Sequence, residues 1–320
     1  MSTTHSPRHL ALVGPTASGK SALAFALAQE LGDAEIVSLD SMQVYRGMDI
    51  GTAKPTVAER AVVVHHLVDV AEPDEDWSVQ RTQTGARAAL DAIEARGNRA
   101  LFVGGTGLYV KAIVDGLRIP AEDPARRIEL EARTASADGL ADAYRELAAR
   151  DPLAAARIEP RNRRRIVRAL EVIELTGAPF SSFGPGLDHF AAPAIPVRMI
   201  GVWLPRAAHA RRIEQRVGTM VAEGFVDEVR MLEARPKGLS RGALQAIGYR
   251  ELFGFVRGEI PTIEDATDRV VRRTRAFARR QRMWFRRDPR ITWLATAGAP
   301  ESLLGAARAL AAGTPVEVAA

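Results

Sequence analysis

Along the first third of the chain, short apolar runs alternate with stretches whose apolar residues recur at helical spacing. Residues 10–13, 35–39, 66–70 and 99–103 each have the length and composition of a buried strand. Between the last two, 78–96 places Val79, Ala86, Leu90 and Ile93 on one helical face, with Ser78 ahead of them as an N-cap. Strand and helix in alternation build a parallel sheet covered by helices on both faces, and such sheets bind ligands at the carboxyl ends of their strands. The pattern changes over 121–186, which is polar, helical in period and without strand signals. Its last stretch, 176–186, is rich in Gly, Pro and Ser and reads as a linker. A strand-like run returns at 197–204. Helical periodicity follows over 206–234, 243–256 and 263–287, then a short strand at 291–294 and a final helix. The pattern predicts an α/β core made of 1–120 and 187–320, interrupted by a helical insertion domain at 121–186.

One junction in this pattern carries chemistry. Directly after the first strand come Gly14, Pro15, Thr16, Ala17, Ser18, Gly19, Lys20 and Ser21, a G-x-x-x-x-G-K-S loop leading into the helical run 21–31. The strand before and the helix after are what give this motif its meaning. Its glycines let the backbone curl so that N–H groups converge on a phosphate, the helix start adds a positive field, and Lys20 adds a mobile charge. Ser21 is placed to ligate a Mg2+ whose other ligands come from the bound phosphates. The core is therefore expected to be a P-loop NTPase-like parallel sheet flanked by helices, and the chain to bind a polyphosphate.

The strand-end rule supplies two further candidates. Asp40 closes the second strand. It suits a general base, or an indirect partner of a bound Mg2+, or a mere helix N-cap or surface aspartate. Thr106, in Gly104, Gly105, Thr106 and Gly107, could bring a hydroxyl and free backbone N–H groups to a substrate, or form a simple tight turn. His65 and His66 invite a metal reading, but no third His or carboxylate lies at ligand spacing, and His66 fits a core-facing position equally well.

Composition narrows the setting. At 320 residues, with 47% hydrophobic and 26% charged residues, the chain is an ordinary globular protein, long enough for one large and one smaller domain. The absence of cysteine excludes disulfides, thiolate zinc sites and a cysteine nucleophile, and fits a cytoplasmic location. The first eight residues hold no signal-like apolar core, and no run approaches the roughly 18 apolar residues of a membrane span. Neither secretion nor membrane insertion is expected.

Net charge is +5 and the sequence pI about 9.9, a modest excess whose distribution matters more than its size. One cluster is Arg161, Arg163, Arg164, Arg165 and Arg168. The other lies on the helix through 274–281, where Val270, Thr274, Phe277, Gln281 and Trp284 are predicted to form the buried stripe. Arg272, Arg275, Arg279, Arg282 and Arg286 fall largely off it. Ten arginines between 269 and 290 face a single acidic residue, Asp288, and so exceed what solubility requires. Elsewhere signs mix as on an ordinary solvated face, at Glu214, Arg216, Glu223 and Glu228. Unbalanced arginine near a phosphate site points to a polyanion, most simply nucleic acid; salt bridging to the core is the alternative. No hydrolytic carboxylate pair or water-positioning glutamine accompanies the loop, which favours a transferase over an energy-coupling motor.

Several separated motifs, in order along almost the whole chain, resemble the tRNA dimethylallyltransferase (isopentenyltransferase) family in its bacterial form. They are GPTASGKS at 14–21, DSMQVYRGMDIGTAKP at 40–55, HHL at 65–67, GGTGLYVK at 104–111, RRIVRALEV at 164–172, QAIGYRE at 245–251, and TRAFARRQ at 274–281 followed by Trp284. The resemblance implies transfer of a dimethylallyl group from dimethylallyl diphosphate to N6 of adenosine 37, beside the tRNA anticodon. It implies that the loop 14–21 holds the diphosphate with Mg2+ on Ser21, and that Lys20 and Arg250 act on the leaving group. Asp40 would accept from the adenine amine, and Thr106 would orient the reacting groups. Ser41, Met42 and Gln43 would contact the extruded base. Arg127, Arg164, Arg165, Ile166, Val167, Arg168, Gln245, Ala246, Ile247, Gly248, Tyr249, Arg250, Thr274, Arg275, Phe277, Arg279, Arg280 and Gln281 would hold the anticodon stem-loop. A cytoplasmic monomer is expected. The competing readings are an adenylate isopentenyltransferase, a small-molecule kinase using the loop for ATP, and a non-catalytic RNA-binding module.

Overall fold

A computed structural model of the chain describes residues 7–184 and 186–316. Apolar runs become strands where two helical layers can cover them. β1 (His9–Val13) is buried at every position, which is how a central parallel strand reads in sequence. It leads into α1 (Lys20–Leu31), β2 (Ala34–Ser38), α2 (Val57–Val62), β3 (His65–His66), α3 (Val79–Ala95), β4 (Arg99–Gly104) and α4 (Gly107–Val114). Four helices follow: α5 (Pro124–Arg133), α6 (Ala137–Arg150), α7 (Pro152–Arg157) and α8 (Arg163–Thr176). The chain then returns to the sheet as β5 (Val197–Trp203). It continues through α9 (Arg206–Ala222), α10 (Phe225–Glu233), α11 (Arg241–Leu244), α12 (Tyr249–Val256) and α13 (Ile263–Phe285) to β6 (Ile291–Ala295) and α14 (Leu304–Ala311).

Two compact units result: the chain through Asp115 together with Ala192 onward, and Gly116–Ala191. The first holds a six-stranded parallel sheet in the order β3-β2-β4-β1-β5-β6. One face buries Leu10, Leu12, Leu101 and Ile200 against Leu23 and Leu27 of α1 and Leu310 of α14. The other buries Val13, Val37 and Phe102 against Leu90 and Ile93 of α3, Val110 of α4 and Phe285 of α13. Each such side chain contributes about 1.5–3 kcal/mol of burial. A third core joins Val44, Tyr45 and Met48 to Phe225 and Val229 of α10 and Tyr249 and Phe253 of α12. The second unit packs α5 to α8 around Leu130, Leu147, Ile166 and Leu170. Within it the fully buried Glu171 carboxylate receives Asp123 N–H and the guanidinium of Arg127, with Arg168 at 3.0 Å.

The strand read at 66–70 is instead the two-residue His65–His66, sharing only His66 with the expected run. Leu67 and Asp69 take positive φ (61° and 57°), a conformation that ends pairing, so β3 keeps two residues and only an isolated bridge between Tyr45 and Ala71 follows. The helices read over 206–234 and 243–256 are each divided, at Gly224 (φ 101°) and before Gly248 (φ 98°), where the left-handed backbone cannot continue an α-helix. On α13 the buried line is Ala266, Val270, Ala278, Gln281 and Phe285. Thr274, Phe277 and Trp284 lie at its margin, half-buried, and the place against the sheet is taken by Phe285.

Candidate active site

β2, β4 and β1 are neighbours in register, with Ser38 opposite Val103 and Val13 opposite Gly104. Three loops therefore leave the sheet side by side at its carboxyl edge: 14–19 after β1, 39–43 after β2 and 105–106 after β4. This is where an open parallel sheet places its ligand. In the first loop Gly19 (φ 90°) precedes α1, and a Cβ there would come within 2.2 Å of Pro300 Cγ, so both conformation and space demand glycine. α1 begins without a capping side chain, leaving its first N–H groups open to an anion. Ser18 Oγ is buried in this loop without a hydrogen-bond partner. An orphaned donor in a cradle of free amides fits a polyphosphate.

Lys20 is half-buried at the start of α1. Loss of water lowers its ammonium pKa to about 8; Asp40 opposes the shift and the nearby Arg216 cation adds to it. Burial likewise lowers Arg216, against the pull of Asp40. Lys20, Arg216 and Asp40 thus form one electrostatic group drawn from α1, α9 and the loop after β2. Asp40 is half-buried, and its Oδ1 accepts Met42 N–H at 2.9 Å, which leaves its second oxygen for a substrate. Thr106 sits ahead of α4 without using its hydroxyl as a cap, so that hydroxyl also remains free for a ligand.

The match to a model of the IPP transferase family spans residues 43–288, and a model described as isopentenyl transferase matches 8–65. Among curated relatives, the tRNA dimethylallyltransferase of Salinispora arenicola is 52% identical over 289 residues, 90% of this chain and 82% of that protein. The corresponding protein of Kineococcus radiotolerans is 49% identical over 290 residues, 89% of this chain and 90% of its own length. The chain belongs to the tRNA dimethylallyltransferase family. A solved tRNA isopentenylpyrophosphate transferase from Bacillus halodurans is 39% identical, with 96% of each chain covered and a TM-score of 0.68. A eukaryotic dimethylallyltransferase caught acting on tRNA shares the fold at 24% identity and a TM-score of 0.78. Membership makes the protein a prenyl-transferring enzyme of P-loop NTPase-like fold.

Family motifs that look alike in sequence divide sharply by burial. Ile166, Val167, Ala246 and Tyr249 are sealed in cores, so their side chains face protein rather than RNA. Gln43 is buried and holds its own loop, accepting Ser38 Oγ–H and donating to Thr52 and Ala53 carbonyls. Met42 packs against the third core, while Ser41 and Ile247 are half-buried and Gly248 is buried beside Phe225. Arg127 is spent on Glu171 and Glu122, and Arg168 on Glu171 and the Pro120 and Ala121 carbonyls. Arg275 pairs with Glu214, the salt-bridge alternative weighed from sequence. Arg164, Arg165, Arg250 and Arg279 are exposed, with no side-chain hydrogen bond or ion pair among the described residues. Arg280 is exposed and lies over Phe277. Thr274 is half-buried and Gln245 exposed.

Two residues read as parts of a mixed, solvated face are misplaced by that reading. Arg216 belongs to the Lys20–Asp40 group. Glu228 is buried: its carboxylate accepts the N–H groups of Asp49, Ile50 and Gly51 and the Tyr249 hydroxyl, which anchors the segment behind Asp40. Burial and that carboxylate push the Tyr249 phenol well above its usual value, so it stays a donor. A helical period of apolar residues on either side of Glu228 was the one available signal. His66 has a carboxylate partner after all, Glu35 at 2.8 Å, but Arg96 and Asn98 hold the same carboxylate. Among the described residues no three His, Cys, Asp or Glu side chains could hold a metal together. A cation at the phosphate loop would have to share its coordination with phosphate. The exposed Ser21 hydroxyl, a hard oxygen donor, suits Mg2+ on those terms.

Proposed function

We propose that this enzyme transfers the dimethylallyl group of dimethylallyl diphosphate to N6 of adenosine 37, next to the anticodon of tRNA. The observation that carries this reading is the Lys20–Arg216–Asp40 group: two cations beside an open anion cradle, with one carboxylate facing the same space. The curated relatives are named for this reaction, and one structural neighbour is described acting on tRNA.

In the reaction the C1–O bond of the donor breaks and its electron pair leaves with the diphosphate. The N6 lone pair forms the new bond to C1, and the N6 proton passes to the free oxygen of Asp40. Negative charge grows on the departing oxygen, which is where preorganised donors lower a barrier most. Loop amides, Lys20 and Arg216 supply them, with Ser18 Oγ–H as a further donor. Arg250, exposed on the first turn of α12, would meet the diphosphate from its open side. Mg2+ held on Ser21 would neutralise part of the diphosphate charge. Thr106 orients the reacting groups. The acceptor reaches Asp40 only if its base leaves the stack, and the exposed arginines of α8 and α13 would supply phosphate contacts that hold the stem-loop. In this proposal the enzyme acts in the cytoplasm as a monomer.

Incubation with labelled dimethylallyl diphosphate and Mg2+, offering tRNA or AMP as acceptor, tests the proposal. Label should enter tRNA and not AMP, and Asp40→Ala should abolish transfer while tRNA binding persists. Label in AMP alone would make the protein an adenylate isopentenyltransferase, and phosphoryl transfer from ATP would make it a kinase.

A further inference from the structure

Thr16, in the middle of the phosphate loop, is gripped by its backbone from two sides. Gln281 Oε1 accepts its N–H at 2.8 Å, and His209 Nε2 lies 2.8 Å from its carbonyl oxygen. A carbonyl only accepts, so the imidazole donates from Nε2. Burial, together with the cations of Arg282, Arg212 and Lys20, lowers the His209 pKa, although its bond to Thr16 opposes the shift. The ring is thus neutral at pH 7, protonated on Nε2 alone. The carbonyl it engages is then not available to turn toward an anionic ligand.

Gln281 does more than hold Thr16. Its Nε2 donates to Gly105 O at 2.9 Å, one residue before Thr106. One buried amide thereby ties the loop after β1 to the loop after β4. An amide suits this place because a single terminus both accepts from an N–H and donates to a C=O; a carboxylate would repel the Gly105 oxygen and a thioether would satisfy neither. The fit is close. A Cβ on Gly105 would stand 2.4 Å from Gln281 Nε2. Ala278, one turn earlier on α13, packs with Ala17 and Ile213, which fixes the helix against the phosphate loop.

We infer that Gln281 and His209 are positioning residues of the donor site, setting the distance between the diphosphate cradle and Thr106, and that Gln281 does not read RNA. The inference rests on the reading of 14–21 as the diphosphate site. Titration of the full chain with inorganic diphosphate and Mg2+, alongside tRNA binding and steady-state kinetics, tests it. Gln281→Met removes both hydrogen bonds and should weaken diphosphate binding about tenfold or more, and lower kcat, with tRNA Kd changed by less than about twofold. Gly105→Ala displaces the same amide and should reproduce these effects, and the double variant should be little worse than either single one. His209→Phe should weaken diphosphate binding, and His209→Gln, whose amide nitrogen can replace Nε2, should restore most of it. Loss of tRNA affinity with diphosphate affinity intact in Gln281→Met would overturn the inference and make Gln281 an RNA contact. Equal behaviour of His209→Phe and His209→Gln would reduce His209 to packing. Failure of the underlying reading is distinguishable: there the wild-type protein would not bind diphosphate, or Lys20→Met would bind it equally well.

Discussion

Lys20 shows how a residue's neighbours set its chemistry. In water a lysine is cationic across the working range of any enzyme; here partial burial and Arg216 bring its ionisation to about pH 8, within reach of experiment. A bound diphosphate stabilises the protonated form, so the electrostatic contribution of Lys20 is fully present below pH 8 and is lost as pH rises above it. Wild-type affinity for inorganic diphosphate, divided by that of Lys20→Met, cancels the titration of the ligand itself. The ratio should be flat to about pH 7.5 and then fall, approaching tenfold per unit; a ratio constant to pH 9.5 would show that Lys20 keeps its ordinary ionisation. The loop motif announces Lys20 in the sequence, but nothing in the sequence announces Arg216. Its partner Asp40 lies far away along the chain, and one arginine on an amphipathic helix has the same local pattern whether it meets water or a carboxylate.

At the scale of elements, the segment that follows the Asp40 loop and the edge of the sheet are held by buried charges. Glu228 fastens 49–51 by three backbone N–H groups. The buried Lys54 ammonium reaches the Tyr45 carbonyl and the carboxylates of Asp49 and Asp69. Glu35 does the same for the sheet edge, linking β2 to His66 of β3 and to Arg96 and Asn98 behind α3. Hydrogen bonding from Arg96, then from Asn98 and His66, holds the Glu35 carboxyl near 2 against the opposing effect of burial. A carboxyl depressed in the folded state stabilises above its unfolded value of about 4.5 and loses that contribution as pH falls toward 2. Thermal melts of Glu35→Gln should therefore lie below wild type at pH 7, and the gap should close between pH 4.5 and 2.5. A gap independent of pH would assign the loss to packing alone. Periodicity located most of these elements because burial of one face dictates it. It missed the breaks at Gly224 and Gly248 since a glycine inside a helical pattern reads the same whether it is tolerated or takes positive φ.

For the whole molecule, the surplus of arginine is only partly a surplus. Arg127, Arg273, Arg275 and Arg290 are neutralised by carboxylates the chain brings to them from a distance, and Arg168 by Glu171 one turn along its own helix. Arg164, Arg165, Arg279 and Arg280 are exposed and not paired among the described residues, which leaves them as the arginines proposed to meet RNA. Arg279→Ala combined with Arg280→Ala should weaken tRNA binding at low salt and reduce the slope of log K against log salt by about 1.4–1.8, two phosphate contacts' worth; an unchanged slope would place the RNA elsewhere. The sequence by itself determined the parallel α/β core, the phosphate loop and the membership that several ordered motifs confer. Those features are local, written in apolar period and in residues adjacent along the chain. Only the tertiary structure decided which arginines are spent on the protein, that Glu228 is buried, that Arg216 joins Lys20 and Asp40, and that Gln281 spans two loops. Each of those depends on a partner brought close by folding, and burial strips water from such pairs without leaving a mark in the linear pattern.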